Sequence, residues 1–304
     1  MKSRIHKNKK INFKSWCKKI LILLAIVFMT VSCKKENSKL LALAYDKEIK
    51  PKYIIEKDDP NQNLYGNWIG PFSTKETNDD LNYGFGATRT INLVIEKIDG
   101  DKVFGYSLHK GILREFSGKF SDIDDKITFN LIEISKDKIN GTFEIKKEND
   151  SLFGTWENKK MKFSREFRLI KESFKYNPEN MIDSKRMYRD EYTRKKSKSK
   201  IIIGNQQRIA TNIVGNINAS TKILTEKQLK NLKKLELEII RNTIYARHGL
   251  SFKNDFYLIF EEMPWYIPVS VDVTKDLTEI EIENIKTLKR FEKYATDNYQ
   301  SFGR

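Results

Sequence analysis

Between Leu64 and Ile170 apolar and polar residues alternate in short runs separated by turn-forming residues, a pattern that predicts an all-β region. Eight strands are expected, centred on Leu64–Gly70, Arg89–Lys97, Val103–Lys110, Leu113–Phe120, Ile127–Ile134, Gly141–Lys146, Ser151–Glu157 and Lys162–Ile170. Ile91, Leu93 and Ile95 alternate with polar partners and so share one face, as do Ile127, Phe129, Leu131 and, by the same spacing, Glu133. Asp99-Gly100 and Asn149-Asp150 read as tight hairpin turns between strands adjacent in sequence. Short connections throughout favour an up-and-down barrel or a strongly curved meander, in which closure removes exposed edges.

After about residue 220 the periodicity changes to that of helices. Two helix starts share one grammar. Thr225 is followed three residues later by Gln228, and Thr278 by Glu281, each a capping box flanked by apolar residues, Leu224 with Leu229 and Leu277 with Ile282. The second opens a helix to about Tyr294, with Ile282, Ile285 and Leu288 on successive turns. Between the caps lie a helix from roughly Lys233 to His248, with Leu237, Ile240, Ile244 and His248 on one face, and a shorter one near Asp255 to Glu262 that Pro264 ends. Arg247 and His248 stand where unpaired helix carbonyls favour cations, and Gly249 supplies the residue that turns the chain. A core this small needs its aromatic residues, so Tyr245, Trp265 and Tyr266 are expected inside it. The chain therefore reads as an α+β protein of two domains, an antiparallel β-barrel or meander over 64–170 and a small α-helical module over 220–296. The stretch 171–219 reads as a basic linker, in which Arg194 to Lys200 is either a solvated run or a contact for lipid phosphates and other surface anions.

The net charge of +16 at first suggests a nucleic-acid partner, but half of it lies in the first twenty residues, where eight lysines and arginines meet no acid. That basic start is followed by an apolar run from Ile20 to Val31, too short to span about 30 Å of hydrocarbon and right for the core of a signal peptide. With this segment set aside, no nucleic-acid partner is expected. Residues 1–32 are thus assigned as a signal peptide and 33–63, polar and broken by Pro51 and Pro60, as a tether. Of the two cysteines, Cys17 falls inside the removable segment, so the folded part has no disulfide scaffold.

Met29-Thr30-Val31-Ser32-Cys33 resembles the bacterial lipobox, although Thr30 stands where leucine is usual. The resemblance implies cleavage before Cys33 and acylation of that cysteine, hence a membrane partner through lipid on Cys33 and a lipoprotein held on the periplasmic or cell-surface side. The alternative is an uncleaved membrane helix with an idle cysteine. Tyr245-Ala246-Arg247-His248-Gly249 resembles the signature of the YARHG domain, a bacterial extracytoplasmic module, and Arg241-Asn242, Phe252, Trp265-Tyr266 and Leu277-Thr278 follow in family order. Gly66-Asn67-Trp68 and Gly154-Thr155-Trp156 are similar to the glycine–tryptophan strand of lipocalin-like barrels, in which the tryptophan plugs the base; that resemblance implies either a ligand cavity or a barrel filled by its own side chains.

Candidate chemistry is sparse. His248 and Arg247 could supply a general acid–base and an anion holder. As neighbours on a helix they point about 100° apart and do not converge, and the residue types are already explained by a helix end. His248 is expected to donate to a carbonyl or carboxylate, and Arg241 or Arg247 to pair with an acid of the last helix such as Glu281 or Glu283. His109 is expected at the surface of a strand. Phe72 to Thr88, with four glycine- and aromatic-bearing residues at Tyr83-Gly84-Phe85-Gly86, reads as a recognition loop at a barrel mouth or as a plain surface loop. No metal-ligand spacing, phosphate-cradling loop or nucleophile elbow is present, so no metal or cofactor is expected. The expectation is a non-enzymatic envelope binding protein, with an envelope protein or wall glycan as partner. The alternatives are a carrier of a small apolar ligand in the barrel and a wall-active hydrolase.

Overall fold

The computed structural model describes residues 58–74, 89–134, 140–160, 162–190, 208–254 and 256–297. The signal segment, Cys33, most of the tether, the connection after residue 74 and the basic run Arg194 to Lys200 lie outside them.

Eight antiparallel strands close into a barrel in sequence order: β1 (Gly66–Thr74), β2 (Arg89–Asp99), β3 (Lys102–His109), β4 (Ile112–Ile123), β5 (Lys126–Ile134), β6 (Thr142–Glu148), β7 (Ser151–Asn158) and β8 (Phe163–Glu172). β1 pairs with β8, so that Trp68 lies opposite Leu93 on one side and Lys171 on the other. All eight expected strands are present, and of the two candidate shapes the chain adopts the barrel. Tight turns make the neighbour pairing possible. Lys110 and Gly111 at one hairpin, and Asp124 and Asp125 at another, hold φ between +48° and +66°, the left-handed pair of a turn whose twist matches that of the strands.

The barrel is filled from alternate positions. Ile91, Leu93 and Ile95 face inward with Phe129, Leu131, Phe143, Leu152 and Phe167, all at most 5% exposed. Glu133 continues the inward series of β5 and is itself buried. One end is shut by apolar groups: Trp68 is 2% exposed and its indole N–H donates to the Leu64 carbonyl at 2.8 Å, beneath a short 3₁₀ turn at Gln62–Leu64.

After β8 the chain runs through residues 173–187 to β9 (Tyr188–Asp190), which pairs with β10 (Arg208–Ala210), followed by a 3₁₀ segment at Asn212–Asn216. Both described parts of the stretch read as a linker pack into the helical core: Ile182, Tyr188, Ala210, Val214 and Ala219 belong to the same apolar cluster as the helices. The helices are α1 (Glu226–Leu229), α2 (Lys234–Arg247), α3 (Tyr257–Phe260) and α4 (Glu279–Tyr294).

α2 is the centre of this half. Leu235, Leu237, Ile239, Ile240, Ile244 and Ala246 are all nearly inaccessible, so almost its whole circumference is covered, as in helices buried in a core rather than laid on one. α4 crosses it with Ile285 and Leu288 inward, as their spacing predicts, but with Ile282 turned outward. Ile282 is 39% exposed, while Ile280, Glu281, Asn284, Ile285 and Leu288 face inward. The apolar spacing misled because two inward positions are polar: each is held by buried hydrogen bonds. Asn284 accepts from the Leu224 amide and donates to the carbonyls of Ala219 and Lys222.

Barrel and helices meet along the β2–β4 side. Asn92 donates to the Pro268 carbonyl at 2.8 Å, the Thr90 amide donates to Glu261 at 3.0 Å, and the Gly111 amide donates to Ser251 Oγ at 2.8 Å.

Candidate functional site

α2 ends among the residues singled out in the sequence, and its burial decides what they do. A polar group removed from water is costly unless it is hydrogen-bonded. Arg247 is 1% exposed and spreads its guanidinium over three acceptors: Nε donates to the Asn180 carbonyl at 2.7 Å, Nη1 to Ser220 Oγ at 2.9 Å and Nη2 to Met181 Sδ at 3.1 Å. Burial pulls its pKa down to about 10, against the opposing influence of Glu281 and Tyr176.

His248 caps the helix. Its Nε2–H donates to Glu281 Oε2 at 2.8 Å, and its ring stacks on Tyr176 with centroids 4.2 Å apart. Glu281 Oε1 accepts from the Tyr176 hydroxyl at 3.1 Å, and Oε2 also accepts from the Thr278 amide at 2.9 Å, closing the capping box of α4. One fully buried carboxylate thus starts α4, receives the signature histidine and holds a tyrosine from the segment before β9. Burial alone would raise its pKa, but the hydrogen bonds from His248, Ser220 and the Thr278 amide outweigh it and hold the carboxyl below the usual range. The Tyr176 hydroxyl is pushed well up, first by burial and then by the Glu281 charge.

Gly249 has φ +73°, and a Cβ there would stand 2.5 Å from Val269 Cγ2 and 2.8 Å from the Ile267 carbonyl oxygen. Tyr245 is partly buried against the core, and the Tyr266 hydroxyl donates to the Leu250 carbonyl at 2.7 Å. Trp265 donates its indole N–H to the Met181 carbonyl at 2.9 Å. Arg241 forms a two-point pair with Glu292, at 2.6 and 3.1 Å.

The structure brings His248 onto Glu281 and, as expected, pairs Arg241 with an acid of the last helix, although that acid is Glu292 and not Glu281 or Glu283. Arg241 reaches Glu292, about three helix turns beyond Glu281, because it sits earlier on α2 and the two helices run past each other. Arg247 turns away from α4 towards the segment 176–188. Glu283 lies on the exposed face beside Lys286. Tyr176, Asn180, Met181 and Ser220 were not singled out in the sequence. Their only local trace is the turn-rich Tyr176-Asn177-Pro178-Glu179-Asn180, which says nothing of what it packs on.

A groove of about 320 Å³ lies over Leu232, Leu237, Phe291 and Tyr294, with Lys230 and Arg290 at its rim. Arg290 is paired with Glu226, and the apolar floor holds no group for acid–base work. Among the described residues, no group of three or more histidines, cysteines, aspartates or glutamates could hold a metal ion.

A second polar cluster lies inside the barrel, at the end away from Trp68. Glu133 accepts from Ser107 Oγ at 2.7 Å, from the Gly141 amide at 2.9 Å and from Trp156 Nε1 at 3.2 Å. Trp156 is thus at the opposite end from Trp68, so the two glycine–tryptophan motifs serve different ends of one barrel. His109 is not a surface residue of its strand. It shares the inward side, its ring edge-on to Phe72 at 5.2 Å and its Nδ1 3.0 Å from the Thr90 carbonyl oxygen.

An eight-stranded up-and-down barrel joined to a helical module whose charged signature is folded inward defines a two-domain α+β protein. The helical part is a YARHG domain: that family matches residues 213–293. Neither a curated protein nor a solved structure matches the chain. The segment that Arg247 and Trp265 hold, residues 180–181, precedes the matched span, so this domain is completed by chain from outside it.

Proposed function

We propose that the protein is an extracytoplasmic, membrane-anchored binding protein of the bacterial cell envelope. Lipid on Cys33 tethers it, the YARHG domain supports an interaction role outside the cytosol, and the partner is an envelope protein or wall glycan. The observation that carries the non-enzymatic reading is the direction of the signature. Arg247 and His248 are 1% and 6% exposed, and their polar atoms are engaged by Asn180, Ser220, Met181 and Glu281. A catalytic pair must reach a substrate proton, whereas these hold two elements together. Metabolic labelling with radioactive palmitate tests the anchor: label is expected in the wild-type chain and its loss in Cys33→Ser. Incubation of the purified wild-type chain with cell-wall sacculi tests the hydrolase alternative: release of soluble wall fragments would overturn the non-enzymatic reading.

A second reading is that the barrel carries a small ligand. What favours it is the contrast between its ends, one sealed by Trp68 and Leu64, the other lined with inward-facing polar and charged groups around Trp156.

A further inference from the structure

Met181 fastens the segment before β9 to the helices at two points. Its backbone carbonyl accepts from the Trp265 indole N–H at 2.9 Å, and its Sδ accepts from Arg247 Nη2 at 3.1 Å. From outside the matched span of 213–293 it therefore holds both the end of α2 and an aromatic residue that follows α3. The three acceptors around Arg247 are the Asn180 carbonyl, the Ser220 hydroxyl and this thioether. Of these only the thioether takes up an oxygen atom under mild oxidation.

The reaction needs a peroxide and access to it. A sulfur lone pair attacks one peroxide oxygen, the O–O bond breaks and an S–O bond forms. The proton of the transferred hydroxyl joins the departing hydroxide to give water, so sulfur loses two electrons and the peroxide gains them. Met181 keeps part of its surface in solvent, whereas Met263 is 8% exposed within the helical core. The product cannot keep the bond as it stands. A guanidinium N–H to oxygen contact alone takes about 2.8 Å. An oxygen on the lone pair that faces Arg247 therefore does not fit within the 3.1 Å between Nη2 and Sδ. An oxygen on the other lone pair leaves an electron-poor sulfur, a weak acceptor, and makes the side chain polar where it packs. Either way a guanidinium that is 1% exposed loses the contact it has now, and a buried donor left without a partner is costly. Tyr176 still reaches Glu281, and Ile182 and Tyr188 still pack into the helical cluster, so the consequence is local opening rather than unfolding.

We propose that Met181 is a reversible oxidation site: a peroxide converts it to the sulfoxide, and the segment 176–188 then loosens from the helical half. The site goes beyond the binding role and does not depend on it.

Hydrogen exchange of the purified full chain, read by mass spectrometry after hydrogen peroxide treatment, tests it. The chain carries Met187→Leu, a change at a side chain that is 59% exposed, so that an added oxygen on 176–188 marks Met181 alone. Oxidised and unoxidised copies of that peptide are then told apart by mass within one sample. Met181 should form the sulfoxide about tenfold or more faster than Met263. Exchange over 176–188 should quicken about tenfold in the oxidised copies only, the effect of one lost hydrogen bond to a charged group, with the barrel strands unchanged. Reduction by the two methionine sulfoxide reductases, one for each epimer, should remove the oxygen and restore slow exchange. Oxidation of Met181 no faster than that of Met263 overturns the proposal, as does equal exchange in oxidised and unoxidised copies. Quick exchange that persists once the oxygen is gone overturns the reversibility. Met181→Leu keeps the volume and has no sulfur, so peroxide should leave its exchange unchanged; an effect that survives there places the cause elsewhere and overturns the proposal. If the leucine variant does not fold, the comparison of oxidised with unoxidised copies decides by itself.

Discussion

His248 Nε2 donates to Glu281 Oε2 across 2.8 Å, and the two side chains are 5% and 0% exposed. The bond joins the end of α2 to the first turn of α4, and it uses the same carboxylate oxygen that accepts from the Thr278 amide. His248→Ala strips that donor and leaves a buried carboxylate short of a partner. Loss of one member of a buried pair costs about 3 kcal/mol or more. Urea denaturation followed by circular dichroism should show the lowered midpoint, with the β-rich signal of the barrel lost later than the helical signal.

Glu281 also sets a pH dependence. Its folded pKa is held below the unfolded value, so its ionised form is favoured by folding. The stability it contributes is fully present above the unfolded carboxyl value and is lost as pH falls through the depressed folded one. Glu281→Gln should therefore be less stable than wild type at neutral pH, and the gap should close progressively in acid. A gap that stayed constant down to strongly acidic pH would rule this out.

Arg247→Lys preserves charge but not the fork. A single ammonium cannot reach Asn180, Ser220 and Met181 in the directions the guanidinium does. About 2 kcal/mol of destabilisation is expected from the lost bonds. Because two of the acceptors, Asn180 and Met181, lie in the segment before β9, hydrogen exchange there, over residues 176–188, should quicken more than in the barrel strands.

The two threonine caps differ in surroundings. Thr278 Oγ1 accepts from the Glu281 amide at 3.3 Å within a partly buried box, whereas the Thr225 box is exposed and starts a helix of four residues. Thr278→Ala should cost about 1 kcal/mol and Thr225→Ala about half of that. Thermal melts of the two variants side by side provide the comparison.

Gly111 sits at the contact between the halves. Its φ is +66°, and a Cβ there would meet the Lys253 amide nitrogen and the Ser251 carbonyl oxygen, both at 2.9 Å. Gly111→Ala should therefore push the β3–β4 hairpin off the helical half, at a cost of about 1–3 kcal/mol. Calorimetry should resolve barrel and helical transitions further apart in the variant than in wild type.

Most of the fold was legible because it is written in local periodicity. Alternation over 64–170, hairpin turns such as Asp99-Gly100 and the reciprocal caps at Thr278 and Glu281 are properties of neighbours in sequence, and strand number, helix starts and the α+β layout follow from them. Ile282 shows where that information ends. It satisfies the helical spacing yet faces solvent, because Glu281 and Asn284 take the inward positions, and a buried polar residue is recognised only when its partners are known.

By itself the sequence determined the strands of the barrel, the helices that follow and the YARHG signature. Only the tertiary structure decided that Arg247 and His248 point into the core, that a segment before the matched domain supplies Tyr176, Asn180 and Met181 against them, and that Trp156 and Glu133 meet at the barrel end opposite Trp68. The physical reason is range. Hydrophobic periodicity is fixed by residues a few places apart, whereas the pairing of buried charges joins positions 33 and 67 residues apart, such as Glu281 with His248 and Asn180 with Arg247. The partners across such distances are chosen by packing, not by local pattern.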